Sequence, residues 1–304
     1  MHQLARKIKR RNWIGHLIVW LIKLNHILPT RLHYRLSLAS SKISAFFNSQ
    51  SSRAIRDNIS LCFPDYSKQQ QAELVSAFLD QNSRMGKECS TAWLGDKENI
   101  QNMIENVYQE TLITDSQAAD KPIIIAVPHI GNWEFFWHWL QLNYSAISMY
   151  SPSKYNAVSE LILNARKRFG GKPFRADIGG MVKLLRGLRQ KQIMMILPDQ
   201  APYPKSGIYS PFFGYPAYTM TLLHRLVQKT EAQLIFGASI RTTNDRFDIC
   251  LESPNFNFET NDLEDFNKGL NRQIESIILK NPSQYLWSYK RYKRQPKDQG
   301  IYTY

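Results

Sequence analysis

The sequence contains little cysteine. Cys62, Cys89 and Cys250 are the three cysteines among 304 residues, and no two of them lie close together along the chain. A disulfide framework depends on cysteines that can pair, so isolated thiols argue against one and favour a reducing compartment. The simplest interpretation is three small apolar side chains in a core.

Long hydrophobic runs are also missing, since no apolar segment reaches the roughly 20 residues of a membrane-spanning helix. Near the start, the apolar segment from Trp13 to Leu28 is interrupted by polar residues and follows a basic head of Arg6, Lys7, Lys9, Arg10 and Arg11. No small-residue cleavage site follows this segment, which disfavours a signal peptide.

The apolar residues of the same segment share one helical face, formed by Ile14, Leu17, Ile18, Leu21, Leu24 and Leu28. Trp13 and Trp20 suit a membrane interface. We therefore expect an amphipathic helix that lies on a membrane, with its basic flank against anionic headgroups. A helix packed into the protein core would show the same apolar stripe and is the alternative.

Acidic residues are scarce relative to basic ones, with 25 Asp and Glu against 39 Lys and Arg and a formal net charge of +14. Such an excess indicates an anionic partner: nucleic acid, a membrane surface, or an acidic or phosphorylated substrate. The chain shows no helix-turn-helix, zinc-finger or RNA-recognition signature, which weakens the nucleic-acid interpretation. The composition, 43% hydrophobic and 21% charged, is that of a globular protein.

The pattern of apolar residues changes along the chain. Residues 32–94 read as helical, and Ser67 with Gln70 forms a capping-box signature that opens a long helix ending near Gly95. From about residue 107, short buried strands alternate with amphipathic helices, which predicts an α/β sheet covered by helices on both faces.

No internal repeat or low-complexity linker divides the chain. We expect a membrane-associated helix in residues 1–30, a helical region in residues 31–106 that packs on the core, and an α/β core in residues 107–304.

Residues 123–137, IIIAVPHIGNWEFFW, carry the strongest chemical signal. Asn132 suits a helix N-cap after a strand and a turn, which places Glu134 in the first helical turn and His129 in the loop before it. Across that turn the two side chains can converge, and the carboxyl end of a strand is where α/β folds bind ligands. We therefore expect a general base, His129, oriented by Glu134.

His138 lies one helical turn beyond Glu134, so His129, Glu134 and His138 together suggest a metal site. A metal-dependent hydrolase is therefore a competing hypothesis, although no zincin-type motif is present.

The segment VPHIGNWEF resembles the His-x-x-x-x-Asp/Glu motif of the lysophospholipid acyltransferase superfamily, and specifically its bacterial lipid A late acyltransferase branch, the lauroyl and myristoyl transferases. Further matching segments follow the order of that branch: NISLCFPDYS (58–67), ARKRFGG (165–171), LPDQAPYPKSGIYSPFFGYPAYT (197–219) and YLWSYKRYKRQP (285–296). One loop departs from the branch, because Lys205 is the only cation in DQAPYPKSG. The resemblance implies a mixed sheet like that of glycerol-3-phosphate acyltransferases.

The resemblance also implies a reaction, in which an acyl chain moves from acyl carrier protein to a hydroxyl on an acyl chain of a lipid A precursor. His129 would deprotonate the hydroxyl, Glu134 would hold the imidazole, and Arg166 is the candidate donor to the oxyanion. Asp199 would hold Arg166 or position the donor.

Asn132 and Lys205 are further expected substrate contacts, and Arg291, in the basic tail KRYKR, would pair with phosphates. A solvated face is the alternative for that tail.

The expected partners are acyl carrier protein, the lipid A precursor and the anionic cytoplasmic face of the inner membrane, with no nucleic acid. No cofactor and no metal are expected, because a carboxylate and an imidazole suffice to activate a hydroxyl against a thioester. An acyltransferase that acts on another membrane lipid, such as an aminolipid, is the closest alternative.

Overall fold

The computed structural model describes residues 2–46, 49–296 and 300–302. The helices in these ranges are α1 His2–Ile27, α2 Thr30–Phe46, α3 Gln50–Cys62, α4 Lys68–Leu94, α5 Lys97–Asn102, α6 Thr111–Ala118, α7 Trp133–Asn143, α8 Asn156–Lys167, α9 Ile178–Arg189, α10 Leu222–Thr230 and α11 Leu263–Lys280. The strands are β1 Ile104–Tyr108, β2 Ile123–Ala126, β3 Ala146–Tyr150, β4 Lys172–Arg175, β5 Ile193–Ile196, β6 Gly207–Phe212, β7 Tyr215–Met220, β8 Gln233–Arg241 and β9 Phe247–Glu252.

Seven strands form one mostly parallel sheet in the order β1-β9-β8-β2-β5-β3-β4, and β8 and β9 are its antiparallel pair. The central strands β2 and β5 read IIIA and IMMI, and all their residues are buried. Continuous apolar strands of this kind belong to parallel sheets that are covered on both faces.

Both faces of the sheet are covered, as the sequence predicted. Alternate residues of β2 enter different cores: Ile124 packs with residues of α9, α10 and α11, while Ile123 packs with residues of α6 and α7. The alternation follows from the two-residue repeat of a strand.

The helical region before the sheet is confirmed in outline. Ser67 and Gln70 form the predicted capping box of α4, and Gly95 is the C-cap at its end. The expected boundary between residues 106 and 107 falls inside β1, and the division into domains stays a prediction.

The sequence pattern does not resolve the short elements α5, β1, α6 and β4. It also does not resolve β6 and β7, which pair in a separate hairpin. Phe213 and Gly214 turn that hairpin with positive φ values of 47° and 79°, which suits a tight turn between twisted strands. The helix α10 begins at Leu222, directly after the hairpin.

The helix α1 is attached to α4 through the ammonium group of Lys87. Its Nζ donates to the carbonyl oxygens of Asn25, His26 and Leu28, at 3.2, 2.5 and 2.8 Å. These carbonyls lie at the end of α1, where a helix leaves its last acceptors unpaired and favours a cation.

The opposite side of α1 and α2 is exposed and apolar. We call it the α1–α2 apolar face, and it comprises Trp13, Leu17, Trp20, Leu21, Leu24, Ile27, Leu32, Leu36 and Ile43. Of the face expected from sequence, Leu17, Leu21 and Leu24 are exposed. Across the described residues, no helix has both the length and the apolar character needed to cross a membrane. The basic head of α1 lies among residues whose side chains are not described.

Asn58 of α3 connects the N-terminal helical region to the C-terminal segment of the chain. Its buried amide donates to the carbonyl oxygens of Trp287 and Tyr289, at 2.6 and 2.9 Å, and its oxygen accepts from the Tyr302 hydroxyl. This contact gives a physical reason for the asparagine that opens NISLCFPDYS.

Replacing Asn58 with Ala should lower the free energy of unfolding by about 2 kcal/mol, because two buried carbonyl groups would lose their donor. Denaturant titration monitored by circular dichroism measures the change. Gln69→Ala, which removes an exposed amide bonded to Glu73, is the control and should cost no more than about 0.5 kcal/mol. Equal losses in the two variants would contradict the assigned role of Asn58.

Candidate active site

The candidate site lies where two central strands end. The strands β2 and β5 are parallel neighbours, with Ala126 opposite Ile196. The chains that leave them carry His129 and Asp199 and therefore meet at the same edge of the sheet. This is the position at which open α/β sheets bind ligands.

The loop after β2 is fixed by backbone contacts on two sides. The amide of Asn132 donates to the Ser239 carbonyl at 2.9 Å, and the amide of Gly131 donates to the Gln284 carbonyl at 3.0 Å. Gly131 has a φ of 57°, and a Cβ atom there would lie 1.8 Å from the Ser239 oxygen. Only glycine allows so close an approach of the two backbones.

His129 is held by Asp199 through two hydrogen bonds. Its backbone amide donates to Oδ2 at 2.9 Å, and Nδ1 of the ring lies 2.7 Å from Oδ1. Because an ionised carboxylate only accepts, Nδ1 carries a proton, and in the neutral ring Nε2 keeps its lone pair. Nε2 faces the amide nitrogen of Gln200 at 3.1 Å, so that amide donates to it. The imidazole is therefore set up as a base at Nε2.

The surroundings keep Asp199 ionised. Burial alone raises the pKa of Asp199, but the contacts to His129 and the charge of Arg291 outweigh burial and hold that pKa below its ordinary value. Burial raises the pKa of the neighbouring Tyr285 phenol, and the Asp199 charge raises it further. Asp199 is therefore the charged member of this group and Tyr285 a neutral one. Trp133 stands edge-on to the His129 ring, with centroids 4.6 Å apart.

Glu134 does not hold His129, which corrects the prediction from sequence. Its buried carboxylate instead binds Arg166 by two hydrogen bonds, Nε to Oε2 at 3.1 Å and Nη2 to Oε1 at 2.5 Å. The physical reason is the tertiary placement of Asp199, which reaches the ring nitrogen from the neighbouring strand. The sequence also suggested that Asp199 holds Arg166, but in the structure Glu134 takes that place.

The pairing of Glu134 with Arg166 keeps both groups charged. Burial raises the pKa of Glu134, yet the Arg166 charge and its hydrogen bonds dominate and lower it. Burial lowers the pKa of Arg166, and Glu134 reverses that effect and raises it. The indole of Trp137 also donates to the Arg166 carbonyl at 3.0 Å, which joins α7 to α8.

Asn132 has a structural role, which corrects the prediction that it contacts the substrate. Its side chain accepts from the Glu134 amide at 3.1 Å as the N-cap of α7, as predicted, and it is completely buried. Its amide nitrogen donates to Glu88 of α4 at 3.3 Å. Glu88 is itself held by Arg241 of β8 through two hydrogen bonds of 2.5 Å each. The sequence offered no signal for Glu88 or Arg241, because each is one charged residue within an otherwise ordinary helix or strand.

Arg291 corrects another expectation, because its guanidinium is buried in the protein. It donates to the Tyr218 carbonyl at 2.8 Å and to the Thr219 hydroxyl at 3.0 Å, which fastens the end of the chain to β7. Its side chain also lies over the Phe212 ring. With these donors engaged inside the fold, Arg291 is not placed to bind a phosphate group of a substrate.

A cavity of about 450 Å³, which we call the methionine-rich cavity, opens beside the site. Four methionines, Leu197, Pro202 and the cations Lys205 and Arg225 are among its lining residues, and the methionines are Met149, Met181, Met195 and Met220. Leu197 and Pro202 flank Asp199 in the chain. A smaller pocket lined by Trp133, Glu134 and Arg166 shares Met149, Met195 and Leu197 with the cavity. Flexible apolar walls of this kind accommodate aliphatic chains.

His138 belongs to a structural network within α7. Its Nδ1 accepts from the amide of Gln141 at 2.8 Å, and the ring is completely buried. Burial lowers the pKa of His138 to about 4. Among the residues that the structure describes, no three His, Cys, Asp or Glu side chains are grouped so as to hold a metal ion. His129, Glu134 and His138 therefore do not form the metal-ligand set considered from sequence.

The chain matches one protein family over almost its whole length. The family model described as "Bacterial lipid A biosynthesis acyltransferase" matches residues 2–294. The chain is 24% identical to the lipid A biosynthesis lauroyltransferase of Escherichia coli over 288 residues, which are 94% of this chain and 92% of the relative. It is 24% identical to a lipid A biosynthesis acyltransferase of Haemophilus influenzae over 298 residues, 95% of this chain and 90% of that protein.

A further relative is the lipid A biosynthesis myristoyltransferase of Escherichia coli. That protein is 25% identical over 240 residues, which are 78% of this chain and 73% of the relative.

Acidification should destabilise the protein through His138. Its folded pKa of about 4 lies below its ordinary value of 6.5, so between these values the unfolded chain binds more protons than the folded one. Stability is therefore lost as the pH falls through this window, by as much as about 3 kcal/mol from this residue. Denaturant titrations between pH 7 and 4 measure the slope.

His138→Gln should flatten that slope, because it removes the titrating ring. Asp199 and Glu134 have lowered pKa values and also reduce stability at the acid end, so the slope should flatten without vanishing. The control is His16→Gln, at an exposed position of α1. If the stability of His138→Gln depended on pH as strongly as that of the wild type, His138 would not be the source of the acid destabilisation.

Proposed function

The chain belongs to the bacterial lipid A biosynthesis acyltransferase family, and from that membership we propose that it transfers a fatty acyl chain from acyl carrier protein to a hydroxyl of a lipid A precursor. It is an acyltransferase, as its relatives are. The hydroxyl-bearing group is taken to be an acyl chain already present on the precursor. The observation that carries the proposed chemistry is the His129 ring, held by Asp199 at Nδ1 while Nε2 faces the Gln200 amide.

In the proposed reaction, Nε2 of His129 takes the proton of the acceptor hydroxyl. The hydroxyl would replace Gln200 as the donor to Nε2. The alkoxide oxygen then bonds to the thioester carbon, and the electron pair of the C=O bond moves to the carbonyl oxygen. When that pair returns, the C–S bond breaks, and the leaving sulfur takes the proton from the imidazolium. The products are an ester and the free thiol of the carrier.

Asp199 supports this reaction by stabilising the imidazolium that forms during it. Its buried charge is closest to Nδ1, and the second hydrogen bond, from the His129 amide, fixes the carboxylate relative to the ring. The arrangement keeps one tautomer throughout the reaction.

Arg166 is proposed to stabilise the negative charge on the thioester oxygen. Glu134 occupies Nε and one hydrogen of Nη2, so the guanidinium has further donors for an oxyanion. Because the pair lines a pocket that shares three residues with the methionine-rich cavity, a chain bound in the cavity would bring its thioester close to Arg166. Lys205, at the cavity edge, is proposed to contact the donor.

We propose that the α1–α2 apolar face lies on the cytoplasmic surface of the inner membrane. Its exposed tryptophans and aliphatic side chains would enter the interface region, while α1 stays fixed to α4 through Lys87. An enzyme placed in this way meets a lipid acceptor in the membrane and a soluble donor in the cytoplasm.

Mass spectrometry of lipid A from cells with and without the gene tests the proposed function. One secondary acyl chain should be missing without the gene and restored by the wild-type enzyme, but not by His129→Ala. An unchanged lipid A together with a change in another lipid class, such as an aminolipid, would move the acceptor to that class.

His129→Ala and Asp199→Ala should each lower acyl transfer by about two orders of magnitude or more, as expected for a base and its partner. The double variant should lose little beyond the worse single variant, because the two residues act as one unit. Rates with a short acyl thioester donor provide the measurement. A near-wild-type rate in Asp199→Ala would show that Asp199 does not serve the base.

Arg166→Ala should lower transfer by about two orders of magnitude and Glu134→Ala by less, because the first removes the proposed oxyanion donor and the second only the carboxylate that holds it. Arg246→Lys, at a cation that binds the Asn102 and Ile104 carbonyls, is the control and should leave the rate constant near the wild-type value. Near-wild-type transfer by Arg166→Ala would exclude Arg166 as the oxyanion donor.

Replacing Trp13 and Trp20 with Ser should release much of the protein from anionic vesicles, since aromatic side chains anchor helices at a membrane interface. Transfer to a lipid-embedded acceptor should fall at least fivefold, while hydrolysis of a soluble acyl thioester stays within twofold. Vesicle co-sedimentation measures binding. The double variant Tyr108→Ser and Leu279→Ser, which removes two exposed apolar residues elsewhere, should bind vesicles as the wild type does.

A further inference from the structure

A second exposed surface combines apolar and basic side chains. We call it the α9–α10 surface, and it comprises Ile178, Val182, Arg186 and Arg189 of α9 with Arg225 and Lys229 of α10. Ile178 is 87% exposed and Val182 58% exposed, which is unusual for aliphatic residues of a helix that packs on a sheet. Neither the fold nor the proposed chemistry uses these side chains.

The α9 residues of this surface form one stripe. Positions 178, 182, 186 and 189 recur at intervals of three and four, so they project from one side of the helix. The buried side of α9 carries Leu184 and Leu188, which enter the core below. Ile178 and Val182 are therefore presented outward by the register of the helix.

A shallow apolar cleft separates α9 from α10. It has a volume of about 310 Å³ and is lined by Val182, Leu185, Arg186, Arg189 and Lys229. The cleft offers an apolar floor with cations around it. Such a floor would receive an aliphatic side chain from a helix whose other residues are acidic.

The α9–α10 surface carries an excess of positive charge. In the described part of the chain, none of its four cations forms an ion pair with an acidic side chain. At the start of α9, Asp177 caps the helix through the Gly180 amide and pairs with Arg175. Glu231 and Glu259 line a different cavity, which Arg189 also borders.

The α9–α10 surface adjoins the methionine-rich cavity. Met181 of α9 and Arg225 of α10 are among the residues that line that cavity. A molecule bound on the surface would therefore stand at the cavity mouth, from which an acyl chain leads towards Arg166.

We infer that the α9–α10 surface is the docking site of the acyl donor, an acidic protein that carries its acyl chain as a thioester on an extended arm. This inference rests on the proposed function, which supplies the donor class. Charge complementarity and the adjoining cavity favour a protein of that kind. A membrane is disfavoured because the surface has no aromatic residue, whereas the α1–α2 apolar face has Trp13 and Trp20 for that purpose.

The test uses the double variant Arg186→Glu and Lys229→Glu in the full-length protein. Steady-state transfer is measured with acyl carrier protein as the donor and, separately, with the same acyl chain on a small pantetheine thioester. With the carrier, KM should rise at least tenfold and kcat should change less than threefold, since only association is weakened. With the small thioester, kcat/KM should stay within twofold of the wild type.

Lys68→Glu with Lys97→Glu is the control for net charge, because both lysines are exposed and the net charge changes equally. This control should behave as the wild type with both donors. The wild-type KM for the carrier should also rise with ionic strength, and the KM of the Arg186 and Lys229 variant should respond less.

Several outcomes would overturn the inference. Equal loss with both donors would place the two cations in the catalytic machinery or the fold, and an unchanged KM for the carrier would place the docking site elsewhere. Reduced binding of the variant to vesicles of phosphatidylcholine and phosphatidylglycerol, with carrier kinetics intact, would make the surface a membrane contact. The proposed function fails separately, if the wild type transfers no acyl chain from either donor.

Discussion

The buried ion pair between Glu88 and Arg241 is the interaction on which the arrangement of the site depends. It joins α4, in the N-terminal helical region, to the end of β8, and both side chains are almost completely buried. Burying two charges is costly, and the cost is offset only when geometry and hydrogen bonds are good. Here Arg241 binds both carboxylate oxygens, and Asn132 donates to one of them. The N-cap of α7 is thereby fixed.

The position of this N-cap determines where the other residues of the site lie. Asn132 sets the start of α7, which directs Glu134 towards Arg166, and the preceding Gly131 lets the loop press against β8. The loop in turn holds His129 within reach of Asp199. Two separate pairs result, His129 with Asp199 and Glu134 with Arg166. Because each carboxylate has its own cationic or imidazole partner, both stay ionised despite burial, and neither competes for the other's partner.

The surfaces around the site suggest how two unlike substrates meet. The α1–α2 apolar face suits a lipid layer, whereas the α9–α10 surface is basic and borders the methionine-rich cavity. A donor that arrives from solution and an acceptor that stays in the membrane would then approach from different directions. In such an arrangement neither substrate has to leave for the other to bind. The excess positive charge of the chain is consistent with the proposed acidic carrier and with the proposed anionic lipid surface.

The sequence alone determined the class of fold, the helical front, the capping of α4 and α7, and the position of His129 at the end of a central strand. These features depend on local patterns, namely the period of apolar residues and the residue types that cap helices. Tertiary structure decided which carboxylate holds His129. Glu134 is close to His129 in the sequence and Asp199 is not, but the parallel pairing of β2 with β5 brings Asp199 to the ring. The burial of Arg291, the Glu88–Arg241 pair and the exposure of Ile178 likewise arise from how distant segments pack. Contacts between residues far apart in the chain leave no periodic trace in the sequence, so only the folded protein reveals them.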